Sequence, residues 1–333
     1  MEIIPSEAYY HHWQDCLKAS GAVAYNTNGF NRVGHCRHRY SSDQFWEVKL
    51  QSGLHLEWID DDYHRDLCVK AEHPEGMPLV AKFYLSGQHG VRCSGIPDVP
   101  TEYGEAAGQS YFFALPDLKE EEISLTGQHV QFIRLHIEPH FFQALGIDLA
   151  FLPGLLRRTL TGNRQRFHQS LGHMTPAMHK VLQQILYCPY QHEIKRLFLE
   201  GKALELLTLQ IDQWIALEQG ERPAQDLRAA DVERVYEAAD ILRSELAGPP
   251  SIIALAHRVG LNDHKLKVGF RQVFETTVFG YVRAQRLERA RQLLLAGDVT
   301  VTQAALTVGY ASQGHFAAAF RKRFGVNPRS LRQ

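Results

Sequence analysis

The sequence predicts an α+β protein. A β-rich N-terminal domain, a cupin-like sandwich or barrel with a helical extension, precedes an all-α C-terminal domain with two helix-turn-helix units. Three observations carry this reading. Residues 54–59 and 130–137 alternate apolar and polar positions, the period of a strand with one buried face. Within 191–219, Ile194, Leu197, Phe198, Ala203, Leu204, Leu207, Ile211, Trp214 and Ile215 fall close to a 3.6-residue repeat. Residues 250–333 contain one short pattern twice.

Taken in order, residues 1–137 read as a β-rich effector-sensing domain. Apolar runs at 79–85 and 111–115 lie between the two alternating segments. Turn residues punctuate them at Gly76, Gly87, Gly90, Pro97, Gly108, Pro116 and Gly127. Short strands at this spacing favour a sandwich or small barrel, often with a cavity. From Glu138 the signal turns helical, and 138–219 reads as a coupling or dimerisation segment. Thr175 before Pro176 is an N-cap followed by proline at the first helical position. The apolar stripe of 191–219 fits either a dimer or interdomain surface or the core of this domain, and Gly201 reads as a bend rather than a stop. The polar stretch Gln219-Gly220-Glu221-Arg222-Pro223-Ala224-Gln225 marks a linker, placed at 220–227.

Residues 228–333 form the C-terminal domain. A helix over 231–246 ends before Pro249-Pro250. The first copy of the repeat then reads Leu255-Ala256, Val259-Gly260, Asn262, Leu266 and Phe270 to Phe274. The second reads Ala304-Ala305, Val308-Gly309, Ser312, Phe316 and Phe320 to Phe324. A short helix that stops at glycine, turns, and restarts behind an Asn or Ser cap is a helix-turn-helix. Ser251 and Thr300 cap the short helices, and a helix over 277–295 joins the halves. Leu266, Phe270 and Phe274 recur at i, i+4, i+8, as do Phe316, Phe320 and Phe324, so they face the core. The opposite face of each second helix is left to meet bases.

The charge distribution agrees. The formal net charge is −1, but residues 250–333 hold 13 Lys+Arg against 4 Asp+Glu, while 1–249 hold 23 against 33. A basic end on an acidic body is expected when one domain meets phosphates and the other does not. No apolar run approaches the ~20 residues of a membrane span, and no signal-peptide pattern opens the chain. Five scattered cysteines (Cys16, Cys36, Cys68, Cys93, Cys188) suit a reducing cytoplasm, the expected location.

The duplicated unit, the linking helix with Arg286-Leu287-Glu288-x-Ala290, and the closing Phe324-Gly325-x-Asn327-Pro328 resemble the AraC/XylS transcriptional regulators. The segment from His168-Gln169-Ser170-Leu171-Gly172 to Glu200-Gly201-Lys202-Ala203-Leu204-Glu205-Leu206 looks like the PchR-type subgroup, regulators of siderophore and iron-acquisition genes. The resemblance implies two recognition helices in adjacent major grooves under the control of a sensor domain. Carried over by position, base-facing sites fall at His264, Lys267 and Val268, with Lys265 and Arg271 beside them. In the second helix they fall at Gly314 and Ala318, with Gln313, His315, Arg321 and Lys322 nearby. Two departures stand out: Glu275 replaces the glycine usual after the first recognition helix, and the second helix is alanine-rich (Ala317, Ala318, Ala319). The first unit is therefore expected to supply most polar discrimination, and the second shape and phosphate contacts. The implied partners are duplex promoter DNA, a small-molecule effector, RNA polymerase and, as an option, a second copy of the chain, with no membrane.

The effector is less directly written. His35-Cys36-x-His38, His136-x-x-x-His140 and His168-x-x-x-x-His173 lack the spacing of a cupin metal site or a structural zinc site, so no metal or cofactor is expected. A ferric siderophore, whose iron is already coordinated, would need an aromatic cavity. Trp46, Trp58, Phe83, Tyr84, Tyr111, Phe112 and Phe113 are candidates for its walls. That effector, and the role of activator of iron-uptake genes, follow from the resemblance; a sugar or aromatic acid is the alternative. A more distant alternative is an alkyl-acceptor repair protein using Cys36 among His35, Arg37, His38 and Arg39. It lacks the four-cysteine cluster of such domains, and no Ser/His/Asp set, phosphate loop or paired carboxylates suggest an enzyme.

Overall fold

The computed structural model describes residues 1–9, 11, 24–25, 31–162, 165–220, 229–274, 276–295 and 299–331. The chain forms two compact units, Met1–Ala224 and Gln225–Gln333. Residues 221–227 of the expected linker, Cys16 and Glu275 lie outside the described residues.

The first unit is a two-sheet sandwich with helices on one outer face. Its strands are β1 (Glu2–Pro5), β2 (Ala24–Tyr25), β3 (Asn31–Arg37), β4 (Ser41–Lys49), β5 (Leu54–Tyr63), β6 (Leu67–His73) and β7 (Leu79–Ser86). They continue with β8 (Gln88–Cys93), β9 (Glu102–Ala106), β10 (Gln109–Ala114), β11 (Leu118–Ser124), β12 (His129–Ile137) and β13 (Phe167–His173). One sheet runs β1-β6-β11-β8-β9, the other β13-β10-β7-β12-β5-β4-β3-β2. The alternation read at 54–59 and 130–137 places those residues opposite each other, Ile137 facing Leu54 and Ile133 facing Trp58 in the β12–β5 ladder.

Because side chains alternate along a strand, the larger sheet feeds two cores. Val80, Tyr84, Tyr111, Phe113, Val130 and Phe132 point between the sheets and meet Leu67, Cys93 and Leu118. Leu79, Ala81, Phe83, Phe112, Ile133 and Leu135 point outward. The helices that cover them include α1 (Phe141–Ala144), α2 (Gly154–Leu160), α3 (Pro176–Leu186) and α4 (His192–Glu218). Thr175 caps α3, accepting from Met178 N at 3.2 Å ahead of Pro176.

One expectation is corrected: 138–219 is not helical throughout, because Phe167–His173 is a strand paired with β10. Phe167 and Leu171, four apart, suit one face of a helix or of a strand equally, and pairing with a sheet edge settles which. The stripe on α4 is largely core: Ala203, Leu207 and Trp214 are buried, whereas Ile194 and Leu197 remain 57% and 70% exposed. Gly201 lies within the unbroken helix.

The second unit is helical. It comprises α5 (Ala229–Ser244), α6 (Ile252–Arg258), α7 (Asp263–Phe274), α8 (Val278–Leu295), α9 (Val301–Thr307) and α10 (Gln313–Phe324). Every cap read from the sequence forms. Ser251 accepts from Ala254 N, Asn262 from Lys265 N at 2.7 Å, and Ser312 from His315 N; Thr300 and Gln303 make a reciprocal capping box. Leu266, Phe270, Phe316 and Phe320 are fully buried. Phe270 and Phe274 pack on Tyr281 of α8, and Phe316 and Phe320 on Leu287, Ala290 and Leu294 of the same helix.

The two turn glycines are not equivalent. Gly260 and Gly309 both have positive φ, 67° and 85°. A Cβ on Gly309 would lie 2.6 Å from Ala247 O and 2.7 Å from an Arg286 nitrogen, whereas one on Gly260 meets nothing closer than Arg234 at 3.8 Å. Gly260→Ala should therefore cost only the left-handed backbone term, about 1–2 kcal/mol. Gly309→Ala should add an overpacking cost of about 1–3 kcal/mol. Urea unfolding of the two full-length variants checks this, and equal losses would refute the close approach at Gly309.

Candidate nucleic-acid interface

The packing above decides which side chains α7 and α10 present to solvent. With Leu266, Phe270 and Val273 turned inward, α7 exposes His264, Lys265, Lys267 and Arg271, with Val268 partly covered. With Phe316 and Phe320 inward, α10 exposes Gln313, Gly314, His315, Ala318, Arg321, Lys322 and Arg323. The two twelve-residue helices are built alike, each opening on a side-chain cap. Backbone N–H groups at such helix starts also suit a phosphate.

Two lysines on α7 differ in what holds them. Lys265 Nζ lies 2.7 Å from Asp231 Oδ2, and Asp231 is 5% exposed on α5. That pair fastens α7 to α5 and commits Lys265 to a structural contact, which separates it from the base-facing group. Lys267 Nζ lies 2.9 Å from Asp263 Oδ2 one turn back, with both side chains about half exposed. Its hydrogen bond holds the Asp263 carboxyl below the ordinary range. An exposed pair of this kind contributes little to stability, so Lys267 can exchange Asp263 for a base or phosphate at small cost. On α10, Ala318 offers only a methyl, and polar reach comes from Gln313 and His315 at one end and the Arg321-Lys322-Arg323 run at the other.

Arg286, of the Arg286-Leu287-Glu288-x-Ala290 pattern, has a role that the pattern alone does not show. Its guanidinium donates to Leu246 O at 2.7 Å, Ala247 O at 3.2 Å and Gly309 O at 3.1 Å. It thereby joins the linking helix, the end of the α5 segment and the turn of the second unit.

The aromatic candidates for an effector cavity do not converge. Phe83 and Phe112 lie in the core beneath the helices, together with the stacked and partly buried pair Trp46 and Trp58. Tyr84, Tyr111 and Phe113 lie in the core between the sheets. Of these, Tyr111 lines a cleft of about 390 Å³ between β9, β10 and β13, with Tyr103, Gln109 and His168.

Behind that cleft is a buried ionic group that the sequence did not reveal. Lys82 Nζ meets Glu105 Oε2 at 2.5 Å, Tyr84 OH donates to the same oxygen at 2.9 Å, and His168 Nε2 meets Glu105 Oε1 at 2.8 Å. Burial would raise the Glu105 carboxyl, but Lys82 and His168 outweigh it and hold it below the usual carboxylate range. His89, beside Tyr84 OH at 2.9 Å, is pushed down to about 3 by burial and by Lys82.

The remaining histidine pairs part company: His136 stacks on His55 and pairs with Glu57, while His140 precedes α1. Among the described residues no group of three or more His, Cys, Asp or Glu side chains is placed to hold a metal ion. Cys36 is 1% exposed within β3, enclosed from any duplex. No described helix is long and apolar enough to cross a membrane.

Comparison with known proteins agrees with this architecture. A family model for the regulatory protein PchR N-terminal domain matches residues 41–229, and one for a helix-turn-helix domain matches residues 255–333. The pairing defines a two-domain regulator of AraC type. The chain belongs to the PchR-like regulators of the AraC family.

It is 42% identical over 127 residues to the regulatory protein PchR of Pseudomonas aeruginosa, covering 38% of this chain and 42% of that protein. It is 36% identical over 92 residues to the HTH-type transcriptional activator RhaS of Escherichia fergusonii, covering 28% and 33%. The chain thus spans less than half the length of these curated relatives. Among solved structures, an AraC-type regulator of Chromobacterium violaceum aligns at 30% identity over 32% of this chain and 94% of its own, with a TM-score of 0.30. Wild-type ToxT of Vibrio cholerae, bound to an unsaturated fatty acid, aligns at 12% identity over 85% and 96%, with a TM-score of 0.35.

If Lys267 reads a base, Lys267→Ala should lose about 1–3 kcal/mol of discrimination at one base pair. Lys322→Ala should instead weaken binding to all sequences alike and lower the salt slope by about 1. Titration of single-base operator variants at several salt concentrations separates the two. A Lys267→Ala protein that ranks every variant as the parent does would remove Lys267 from the reading set.

Proposed function

We propose that this protein is a ligand-responsive, sequence-specific DNA-binding activator of iron- or siderophore-uptake genes, and that a ferric siderophore is its effector. The observation that carries DNA binding is the pair of like-built, side-chain-capped helices, α7 and α10, whose solvent faces hold the basic and polar residues of a domain with 13 Lys+Arg against 4 Asp+Glu. Base-facing roles go to His264, Lys267, Val268, Gln313, Gly314, His315 and Ala318, and phosphate roles to Arg271, Arg321 and Lys322. The iron-chelate effector rests on the PchR-type N-terminal domain and on the resemblance of 168–206 to that subgroup. Activation implies contact with RNA polymerase. One chain already carries two readers, so pairing with a second copy is compatible with the scheme but not required by it.

The test is affinity of the full-length protein for its own upstream DNA at fixed salt, with and without ferric siderophores, free ferric iron and haem. One ferric chelate should change the affinity by about 5–150-fold, the range of typical coupling energies, and iron alone should not. Tight binding indifferent to the panel would overturn the siderophore reading, and absence of sequence-specific binding would overturn the regulator reading as a whole.

A further inference from the structure

We infer that the effector site is the cleft between β9, β10 and β13, that it takes a compact aromatic ligand, and that occupancy reaches the rest of the chain through two buried glutamines of α4. The inference rests on the ligand-responsive reading above and gives it a place and a ligand chemistry.

The cleft has the size of a small-molecule binding site. Its volume of about 390 Å³ falls at the lower end of the ~300–1,000 Å³ typical of small-molecule pockets, which suits one or two rings. His168 stands in its wall with the Tyr103 ring 4.6 Å away and the Tyr111 ring 5.4 Å away, and Phe113 stacks against the same imidazole at 5.5 Å. These rings are held in place. Glu105 fixes His168, and Tyr111 OH accepts from Ala106 N at 3.0 Å and donates to Gln109 Oε1 at 3.0 Å. Tyr103 is the ring of this group left partly exposed, with Tyr111 and Phe113 buried behind it, and an exposed ring favours a flat ring over an aliphatic chain. Arg166, which lines the cleft, donates to Pro116 O at 2.9 Å and pairs with Asp117 at 3.4 Å.

The strands that carry this wall are fastened to α4 on their other side. Gln210, fully buried, donates to Tyr111 O at 3.1 Å. Gln213, 5% exposed, donates to Leu171 O at 2.9 Å and His173 O at 2.8 Å. Trp214 packs on Phe112 and Phe167, the chain neighbours of Tyr111 and His168 that point to the opposite face. Movement of β10 or β13 on binding therefore pulls on α4, the last described element before residues 221–228.

Two substitutions separate the cleft from the coupling. Tyr103→Leu removes the partly exposed ring of the cleft wall. Gln213→Leu keeps the volume of the side chain but removes its donors. The probes are salicylate and 2,3-dihydroxybenzoate, free of iron, titrated by tryptophan fluorescence, together with the operator titration with ferric chelates.

The wild-type protein should bind the aryl acids. Tyr103→Leu should weaken that binding by about tenfold or more, with ligand-free operator affinity unchanged as the check on folding. Gln213→Leu should bind them as the wild type does and lose the ligand-dependent change in operator affinity. Aryl-acid binding that survives Tyr103→Leu would overturn the cleft, as would a wild-type protein that ignores the aryl acids yet responds to a ferric chelate. That second result would leave the iron reading intact. Aryl-acid binding at the cleft with indifference to every ferric chelate would support the site and sink the iron reading instead. A full response in Gln213→Leu would overturn the coupling.

Discussion

The three hydrogen bonds of Arg286 are the constraint on which the helical unit depends. One planar guanidinium reaches carbonyls at the end of the α5 segment and in the turn of the second helix-turn-helix, from a helix that already packs against both phenylalanine clusters. Each such bond to a charged donor contributes about 1.5–3 kcal/mol when it replaces solvent in a partly buried place. The geometric consequence matters more than the energy. Because α8 is fixed at both ends, α7 and α10 cannot change their separation independently. Gly309 is glycine because the same clamp leaves no space for a Cβ beside Ala247 and Arg286. A reader with two fixed heads has one spacing, and that spacing becomes part of its specificity.

In the first unit a different device does the comparable work. Glu105, Lys82 and His168 come from β9, β7 and β13, and their buried contacts pin three strands at the edge where the cleft opens. An ionic group in this setting costs desolvation, and its geometric precision is what the fold gains in return. The same strands pass through Tyr111, Leu171 and His173 to the glutamines of α4. A ligand that moves the edge by a fraction of an ångström thus meets a chain of directed hydrogen bonds rather than a compliant apolar layer.

What the sequence showed and what it hid divide along the range of the interactions. Helix caps at Thr175, Ser251, Asn262, Thr300 and Ser312 were legible because each is a contact over three residues. The phenylalanine spacing in α7 and α10 was legible because one period governs a whole helix. The strand Phe167–His173 was not, since two apolar residues four apart fit either period and the deciding partner, β10, lies more than fifty residues earlier. The candidate aromatics cannot line one cavity, for a reason contained in the sequence. Phe83 and Tyr84, like Tyr111 and Phe112, are neighbours in a strand and must point to opposite faces. The ionic group at Glu105 and the Asp231–Lys265 pair had no local signal, because each joins residues 23 or more positions apart.

The central claim is that two recognition helices, held at one separation by α8, read two successive major-groove faces of a duplex. The measurement that addresses it most directly is methylation interference at guanine N7 on the protein's own operator, followed by insertion of five base pairs between the contacted segments. The account predicts two clusters of interfering guanines on one face, about 10–10.5 base pairs apart, and loss of the second cluster on insertion. A single cluster, or two clusters that tolerate the insertion, would contradict it.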